Sequence, residues 1–136
     1  MILADTSAWV EYDRATGSPV DQRMTDLIAD ESLIAVTEPV IMELLAGARD
    51  DRREADLRRM MLHCELLPFD AVADFDAAVH IYRRCRRAGV TARGMVDYMI
   101  AAVAWRTASS LLAYDADLSR VAGVIGIDLD QASMRA

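Results

Sequence analysis

The sequence contains no lysine; all 15 of its basic residues are arginine. Any chemistry that depends on a lysine is therefore excluded. Cysteine is nearly absent too, with Cys64 and Cys85 alone and no Cys-x-x-Cys spacing. Both lie in stretches of helical pattern and are expected to be buried, reduced thiols rather than a disulfide. The two histidines, His63 and His80, fall on different predicted helices without a ligand or base partner nearby in sequence, which makes them structural. Long apolar runs are also missing. The most apolar internal stretch, 99–105, is far too short to span a bilayer. Asp5 interrupts the N-terminal apolar run too early for a signal peptide, so a soluble, cytoplasmic protein without membrane contact is expected. An excess of positive charge is lacking as well. Asp and Glu outnumber basic residues by 22 to 15, for a net charge of -7. That balance excludes a passive nucleic-acid coat held by bulk charge. It leaves open an enzyme that reaches phosphate through metal ions.

What is present suits one domain over residues 1–136, with 54% hydrophobic residues to build a core. Short apolar runs at 2–4, 32–36 and 111–114 read as strands buried on both faces. Residues 66–69 read as an extended edge, because Pro68 disfavours a central strand. The segment 125–129 reads as a final short strand, followed by a frayed tail. Helical spacing covers 7–13, 20–29, 38–46, 50–63, 70–87, 95–105 and 118–124. Thr37 and Asp70 are expected caps, and Gly47 and Gly89 expected stops. The apolar face of the 70–87 helix is expected to include Val72, Phe75, Val79 and Tyr82. Trp9, Trp105 and the methionines are assigned to core or interface. Strands alternating with helices predict an α/β fold, with a mainly parallel central sheet between helical layers.

The acids carry the chemistry. Asp5 and Asp115 each follow an apolar strand directly, and in an open parallel sheet ligands sit beyond the carboxyl ends of the strands. Glu43 lies between Val40-Ile41-Met42 and Leu44-Leu45, and Asp97 between Met95-Val96 and Tyr98-Met99-Ile100. Carboxylates in such apolar runs need a reason. Asp117 follows Asp115 by two. Singly, each has an ordinary explanation: Asp5 and Asp117 as helix caps, Asp97 as a first-turn acid favoured by the helix dipole, Glu43 as a surface residue. One topology, however, brings all of them to the same lip. Clustered carboxylates repel and hold protons unless cations neutralise them. Hard divalent ions such as Mg²⁺ or Mn²⁺ take oxygen ligands and complete their shell with substrate phosphate.

Four blocks in this order carry a resemblance: Met-Ile-Leu-Ala-Asp5-Thr6-Ser-Ala-Trp, Glu38-Pro-Val-Ile-Met-Glu43-Leu-Leu-Ala-Gly47, Val96-Asp97-Tyr-Met-Ile-Ala-Ala-Val-Ala104, and Leu111-Leu-Ala-Tyr-Asp115-Ala-Asp117. Together, over essentially the whole chain, they resemble PIN-domain ribonucleases, and more narrowly the VapC toxins of bacterial toxin–antitoxin pairs. The resemblance implies a three-layer α/β/α sandwich and a Mg²⁺-dependent (or Mn²⁺-dependent) endoribonuclease. It implies hydrolysis that leaves a 5′-phosphate and a 3′-hydroxyl, on single-stranded or loop RNA, with tRNA as a family-level target. Asp5, Glu43, Asp97 and Asp115 match the family's catalytic, metal-binding acids. Asp117 matches a further assisting acid, and Thr6 a hydroxyl that orders the site of the first acid. Ala113 and Leu118 depart from a usual Thr and Phe in the last block. The resemblance also implies a VapB-type antitoxin, whose C-terminal segment lies across the toxin with a basic residue in the acidic pocket, and a homodimer.

No acid lies between Asp76 and Asp97, so Arg83, Arg84, Arg86, Arg87 and Arg93 form a locally basic stretch. It is either a solvated helix end, where cations suit the dipole, or an RNA phosphate track with Arg93 and Arg87 as its RNA-binding residues. Arg49 to Arg59 is instead interleaved with acids, as in Glu54 and Arg58 at helical spacing. Ser7 has no histidine placed to make it a nucleophile and is expected to be a cap residue. Two rival classes remain. A phosphoaspartate protein needs a lysine, which is absent, or in the phosphatase pattern an aspartate where Ser7 stands. A non-catalytic PIN scaffold would not need to retain every acid.

Overall fold

The computed structural model describes residues 1–30 and 33–135. Among these, four strands form one all-parallel sheet in the order β3-β2-β1-β4. The strands are β1 (Ile2–Ala4), β2 (Ile34–Val36), β3 (Glu65–Leu66) and β4 (Ser110–Leu112). Ile2 pairs with Ile34 on one side and Ser110 on the other, so β1 is central. Leu3, Ala4, all of β2, Leu111 and Leu112 are fully or almost fully buried, as strands covered on both faces must be. The 32–36 strand begins at Ile34 within the described residues; Ser32 lies outside them.

The helices are α1 (Thr6–Asp13), α2 (Pro19–Ala29), α3 (Glu38–Ala46), α4 (Asp51–Met61), α5 (Ala73–Arg87), α6 (Met95–Thr107) and α7 (Ala116–Ile125). The chain winds from β1 to β2 to β3 in one direction through α1 to α4. It then crosses back past β1 to β4 through α5 and α6. Right-handed crossovers place those two groups on opposite faces of the sheet. The result is the expected three-layer α/β/α sandwich. Because the winding reverses between β1 and β4, a crevice opens beyond their carboxyl ends, where Asp5 and Asp115 stand.

Helix α6 is apolar nearly all round. Tyr98 and Ile100 to Ala104 are buried, so it forms the central helix of its layer. Asp97 in its first turn is thereby carried to the edge of the core. Tyr98 also fixes the preceding loop: its hydroxyl accepts from the Ala92 N–H at 2.8 Å, and its ring meets Tyr82 edge-on at 5.2 Å. Asp74, completely buried, is gripped by Arg106 through two hydrogen bonds of 2.8 Å, tying α5 to the end of α6.

Four local expectations are corrected. Thr37 stands at the N-cap of α3, but its buried hydroxyl makes no hydrogen bond among the described residues, so the cap is positional only. The face of α5 that packs inward is Ala78, Ile81 and Cys85; Val72, Phe75 and Val79 are exposed, and Tyr82 is half-buried. A single helix carries two apolar stripes here, and the one with Ala78, Ile81 and Cys85 is buried where α5 packs on α6 and α7. The segment 125–129 is not a strand. Ile125 ends α7, Gly126 turns the chain at φ +85°, and Leu129 makes one parallel bridge to Leu111. Finally, the tail is pinned rather than frayed. Ser133 donates to the Leu111 carbonyl and accepts from the Ala113 N–H, and buried Asp130 pairs with Arg23 at 3.2 Å. This strap covers the outer edge of β4, which would otherwise expose unpaired backbone groups. No disulfide forms; Cys85 is buried and Cys64 half-buried. Trp9 is a core residue, whereas Trp105 is 60% exposed. Among the described residues no helix is long and apolar enough to cross a membrane.

Candidate active site

Asp5, Thr6, Ser7, Glu43, Asp97, Tyr114 and Asp115 line one cleft of about 300 Å³ at the carboxyl ends of β1 and β4. Four of the five acids singled out in the sequence are therefore brought together. Asp117, in the first turn of α7, stands beside them.

Each strand-end acid doubles as a helix cap, and uses one oxygen for it. Asp5 Oδ2 accepts from the Ser7 N–H at 3.0 Å and the Ser7 hydroxyl at 2.6 Å. Asp115 Oδ1 accepts from the N–H groups of Asp117 and Leu118 at 2.8 and 3.2 Å. Asp115, not Asp117, is thus the cap of α7. Those bonds fix each carboxylate while leaving its second oxygen unused. Asp5 Oδ1 is buried with no hydrogen-bond partner among the described residues, an arrangement that costs energy unless something else satisfies it.

The hydroxyls divide their work differently from expectation. Thr6 donates to Glu43 Oε1 at 2.7 Å and so orders the acid from α3 rather than Asp5. Ser7 orders Asp5, and its oxygen accepts the Tyr114 N–H at 2.8 Å, joining the ends of β1 and β4 through one side chain. Ser7 was legible only as a cap, because its second partner is 107 residues away. Asp115 is held through the first turn of α7, and Ala113 before it is fully buried. Leu118 is fully buried packing.

Electrostatics mark the cleft as charge-strained. Burial pushes Asp5 up to about 6 despite its bonds to Ser7, with Asp115 and Glu43 adding repulsion. Asp97 rises to about 7, first through desolvation and then through repulsion from Asp5, Asp115, Glu43 and Asp117. Among the described residues no three acidic or other ligand-type side chains already converge on one coordination point. The acids face a shared space instead. That suits an ion which keeps part of its water and takes only some carboxylates directly, as Mg²⁺ does. An oxygen-only donor set, one orphaned carboxylate oxygen and two acids holding protons near neutrality all fit a hard divalent cation.

Of the expected RNA contacts, Arg93 reaches the lip, with Nε 3.4 Å from Asp117 and a largely exposed side chain. Arg120 pairs with the same acid at 3.1 Å; it was not singled out, since its i,i+3 spacing resembles ordinary helix support. Arg87 lies elsewhere, in a shallow depression with Tyr82, Arg83 and Arg86, and does not line the cleft. Neither histidine lines it either; His80 pairs with Asp76 on the surface of α5.

Loss of the Ser7 hydroxyl tests its positioning role. Ser7→Ala removes a bond to the charged form of Asp5, so that carboxylate holds its proton to higher pH. Cleavage of RNA should fall about tenfold, and the acid limb of its pH profile should move upward. Ser7→Thr should restore both. An unshifted limb in Ser7→Ala would show the hydroxyl to be structural only.

The family model described as PIN domain matches residues 2–124. VapC ribonuclease Mb1587 of Mycobacterium bovis is 44% identical, over 99% of this chain and 100% of that protein. Ribonuclease VapC11 of Mycobacterium tuberculosis matches with the same identity and coverage. In fold, the chain is similar to the crystal structure of VapBC2 from Rickettsia felis bound to a promoter DNA fragment, with a TM-score of 0.76, 17% identity, and 96% and 98% of the two chains covered. With a sheet that reverses its winding at the acid cleft and full-length relatives at this identity, the chain belongs to the PIN-domain family, within its VapC branch.

Proposed function

We propose that the protein is a metal-dependent endoribonuclease and the toxin of a VapBC-type toxin–antitoxin pair. The observation that carries the chemistry is the cluster of Asp5, Glu43, Asp97 and Asp115 in one cleft, two of them pushed up to about 6 and about 7. Mg²⁺, or Mn²⁺ in its place, supplies charge neutralisation and activation of water at neutral pH. Some of the four acids would hold it directly and the rest through its water shell, with Asp117 assisting from the lip. Thr6 keeps Glu43 turned into the cleft, and Ser7 does the same for Asp5. Asp5 is buried at the floor of the cleft, so its own charge is poorly screened by bulk water. Single-stranded or loop RNA is the substrate form that an open cleft accepts, because its backbone can be splayed across the lip.

The proposed partner is a VapB-type antitoxin, for which the VapBC2 complex of similar fold is the support. A cationic side chain from such a partner would be held by the same carboxylates. A homodimer is the proposed assembly, supported by the exposed stripe of Val72, just before α5, with Phe75 and Val79 on it, the last 38% exposed and the first 81%. A cytoplasmic location follows from the same reading, since RNA and an antitoxin are met there.

Removing divalent metal with excess EDTA should abolish cleavage, and Mg²⁺ or Mn²⁺ should restore it. Calorimetry gives an independent check. At about pH 6.5, Asp97 is mostly and Asp5 partly protonated, so Mg²⁺ binding should release about one proton. The release is measured by repeating the titration in buffers of different ionisation enthalpy. Cleavage that persists in EDTA would overturn the mechanism.

A further inference from the structure

A second groove runs on from the acid cleft. It measures about 430 Å³ and lies between α1, α3 and α4. Thr6, Val10 and Glu43 line both spaces, so the two are continuous. Leu44 and Leu57, almost fully buried, form an apolar floor. The rim carries Arg14, Arg49 and Arg53. Arg53 is neutralised by Asp13. Arg49 is 85% exposed and only loosely placed, 3.8 Å from Asp50, whose other oxygen caps α4. Arg14, at the end of α1, has no ion pair among the described residues.

We propose that this groove holds the nucleotides adjoining the scissile phosphate of a single-stranded RNA, with Arg14 and Arg49 on its phosphates. The inference rests on the nuclease reading of the acid cleft. The chain is acidic overall, with a net charge of -7. A polyanion can therefore be held only where cations are locally left uncompensated. Arg14 is such a cation and Arg49 is held only loosely by Asp50, and both line the space that contains Glu43. Guanidinium groups pair with phosphate oxygens through two parallel hydrogen bonds and also stack on bases. The apolar floor suits the face of an unstacked base. On the opposite lip Arg93 stands by Asp117. A strand entering along the groove thus meets cations on both sides of the acids, and its scissile phosphate lies over the carboxylates. A volume of about 430 Å³ lies within the range of specific ligand sites, roughly 300–1,000 Å³.

The test compares Arg14→Gln/Arg49→Gln with Arg58→Gln/Arg59→Gln. The second pair removes the same charge from α4, where Arg58 and Arg59 are exposed and paired with Glu54 and Asp56 outside the groove. Fluorescein-labelled oligouridine and a mixed-sequence single-stranded RNA serve as probes. Binding is read by anisotropy in an Asp97→Asn background with Mg²⁺, and KM and kcat are read in the active protein. The groove pair should weaken binding about tenfold or more and lower the salt slope by about 1.4, ~0.7 per lost phosphate contact on a single strand. KM should rise with kcat little changed. The outer pair should leave both near the parent values. Equal effects from the two pairs would reduce the groove to bulk charge and overturn the proposal. So would unchanged Kd and KM in a chain that still cleaves RNA, an outcome that leaves the nuclease reading intact. Unchanged RNA binding with loss of a co-purified antitoxin would make the groove a protein-docking surface instead, again overturning it. A wild-type chain that cleaves no RNA in Mg²⁺ or Mn²⁺ would overturn the nuclease reading and the groove together.

Discussion

Asp97→Asn is expected to lower RNA cleavage about 10³-fold, ~4 kcal/mol of transition-state stabilisation, while making the metal-free protein more resistant to heat at neutral pH. The two effects share one cause. Asp97 sits on the first turn of a helix that is otherwise core, facing Asp5, Asp115 and Glu43. Its carboxyl is raised from 3.8 to about 7, and that of Asp5 to about 6. Between those values the folded protein binds more protons than the unfolded chain. Stability therefore falls as pH rises from about 4 through 7, the reverse of a salt-bridged carboxylate. An amide at position 97 removes both the ionisation and its share of the repulsion. The melting temperature of metal-free Asp97→Asn should accordingly exceed that of the parent near pH 7.5 and match it more closely near pH 5. Mg²⁺ should raise the parent's melting temperature and have little effect on the variant. Asp5→Asn should behave likewise in activity. Asp117→Asn should lose only about tenfold, because that acid is shared with Arg93 and Arg120 and does not line the cleft. A variant that loses activity together with its fold, seen as a lowered melting temperature, would count against this account.

Arg106→Ala is expected to cost about 3–5 kcal/mol of folding stability, although Arg106 lies outside the acid cleft. Its guanidinium binds both oxygens of Asp74, which is 0% exposed, and also reaches the Pro68 carbonyl. Removing it leaves a buried carboxylate without its counter-charge. Asp74→Ala/Arg106→Ala should recover part of the loss, since the charge itself is then gone. Urea unfolding of the three variants measures the difference as a fall in midpoint at nearly constant slope. A drop below about 1 kcal/mol in Arg106→Ala would place the pair among ordinary surface contacts. Arg106 ties the layer of α5 to the far end of α6, the helix whose first turn presents Asp97.

The acids were legible in the sequence because each breaks a local rule. Asp5 and Asp115 end apolar strands, and Glu43 and Asp97 interrupt apolar helices. A charge in such a setting is costly unless a site requires it, so its position alone announces it. Alternation of strands with helices was enough for the α/β class and for the parallel sheet. The errors have equally local causes. Helix α5 offers two apolar stripes, and only its neighbours decide that Ala78, Ile81 and Cys85 go inward while Phe75 stays outside. The Ile-Gly-Ile-Asp-Leu run has strand composition, yet Gly126 at φ +85° ends a helix there. The tail has too little apolar character to predict burial. It is held by Ser133 and Asp130 through partners in β4 and α2.

By itself, then, the sequence determined which carboxylates break their local pattern, the class of fold that gathers them, and the exclusion of lysine chemistry. Only the tertiary structure decided how they are held. It gave Thr6 to Glu43, Ser7 to Asp5 and the first-turn amides of α7 to Asp115, left Asp5 Oδ1 buried without a partner among the described residues, and opened an arginine-rimmed groove beside them. The physical reason is range. Burial cost and hydrophobic periodicity act within a few residues and are written along the chain. Hydrogen-bond partners 37 and 107 residues apart, and the burial and repulsion that drive two acids toward neutrality, exist only once the chain has brought those groups together.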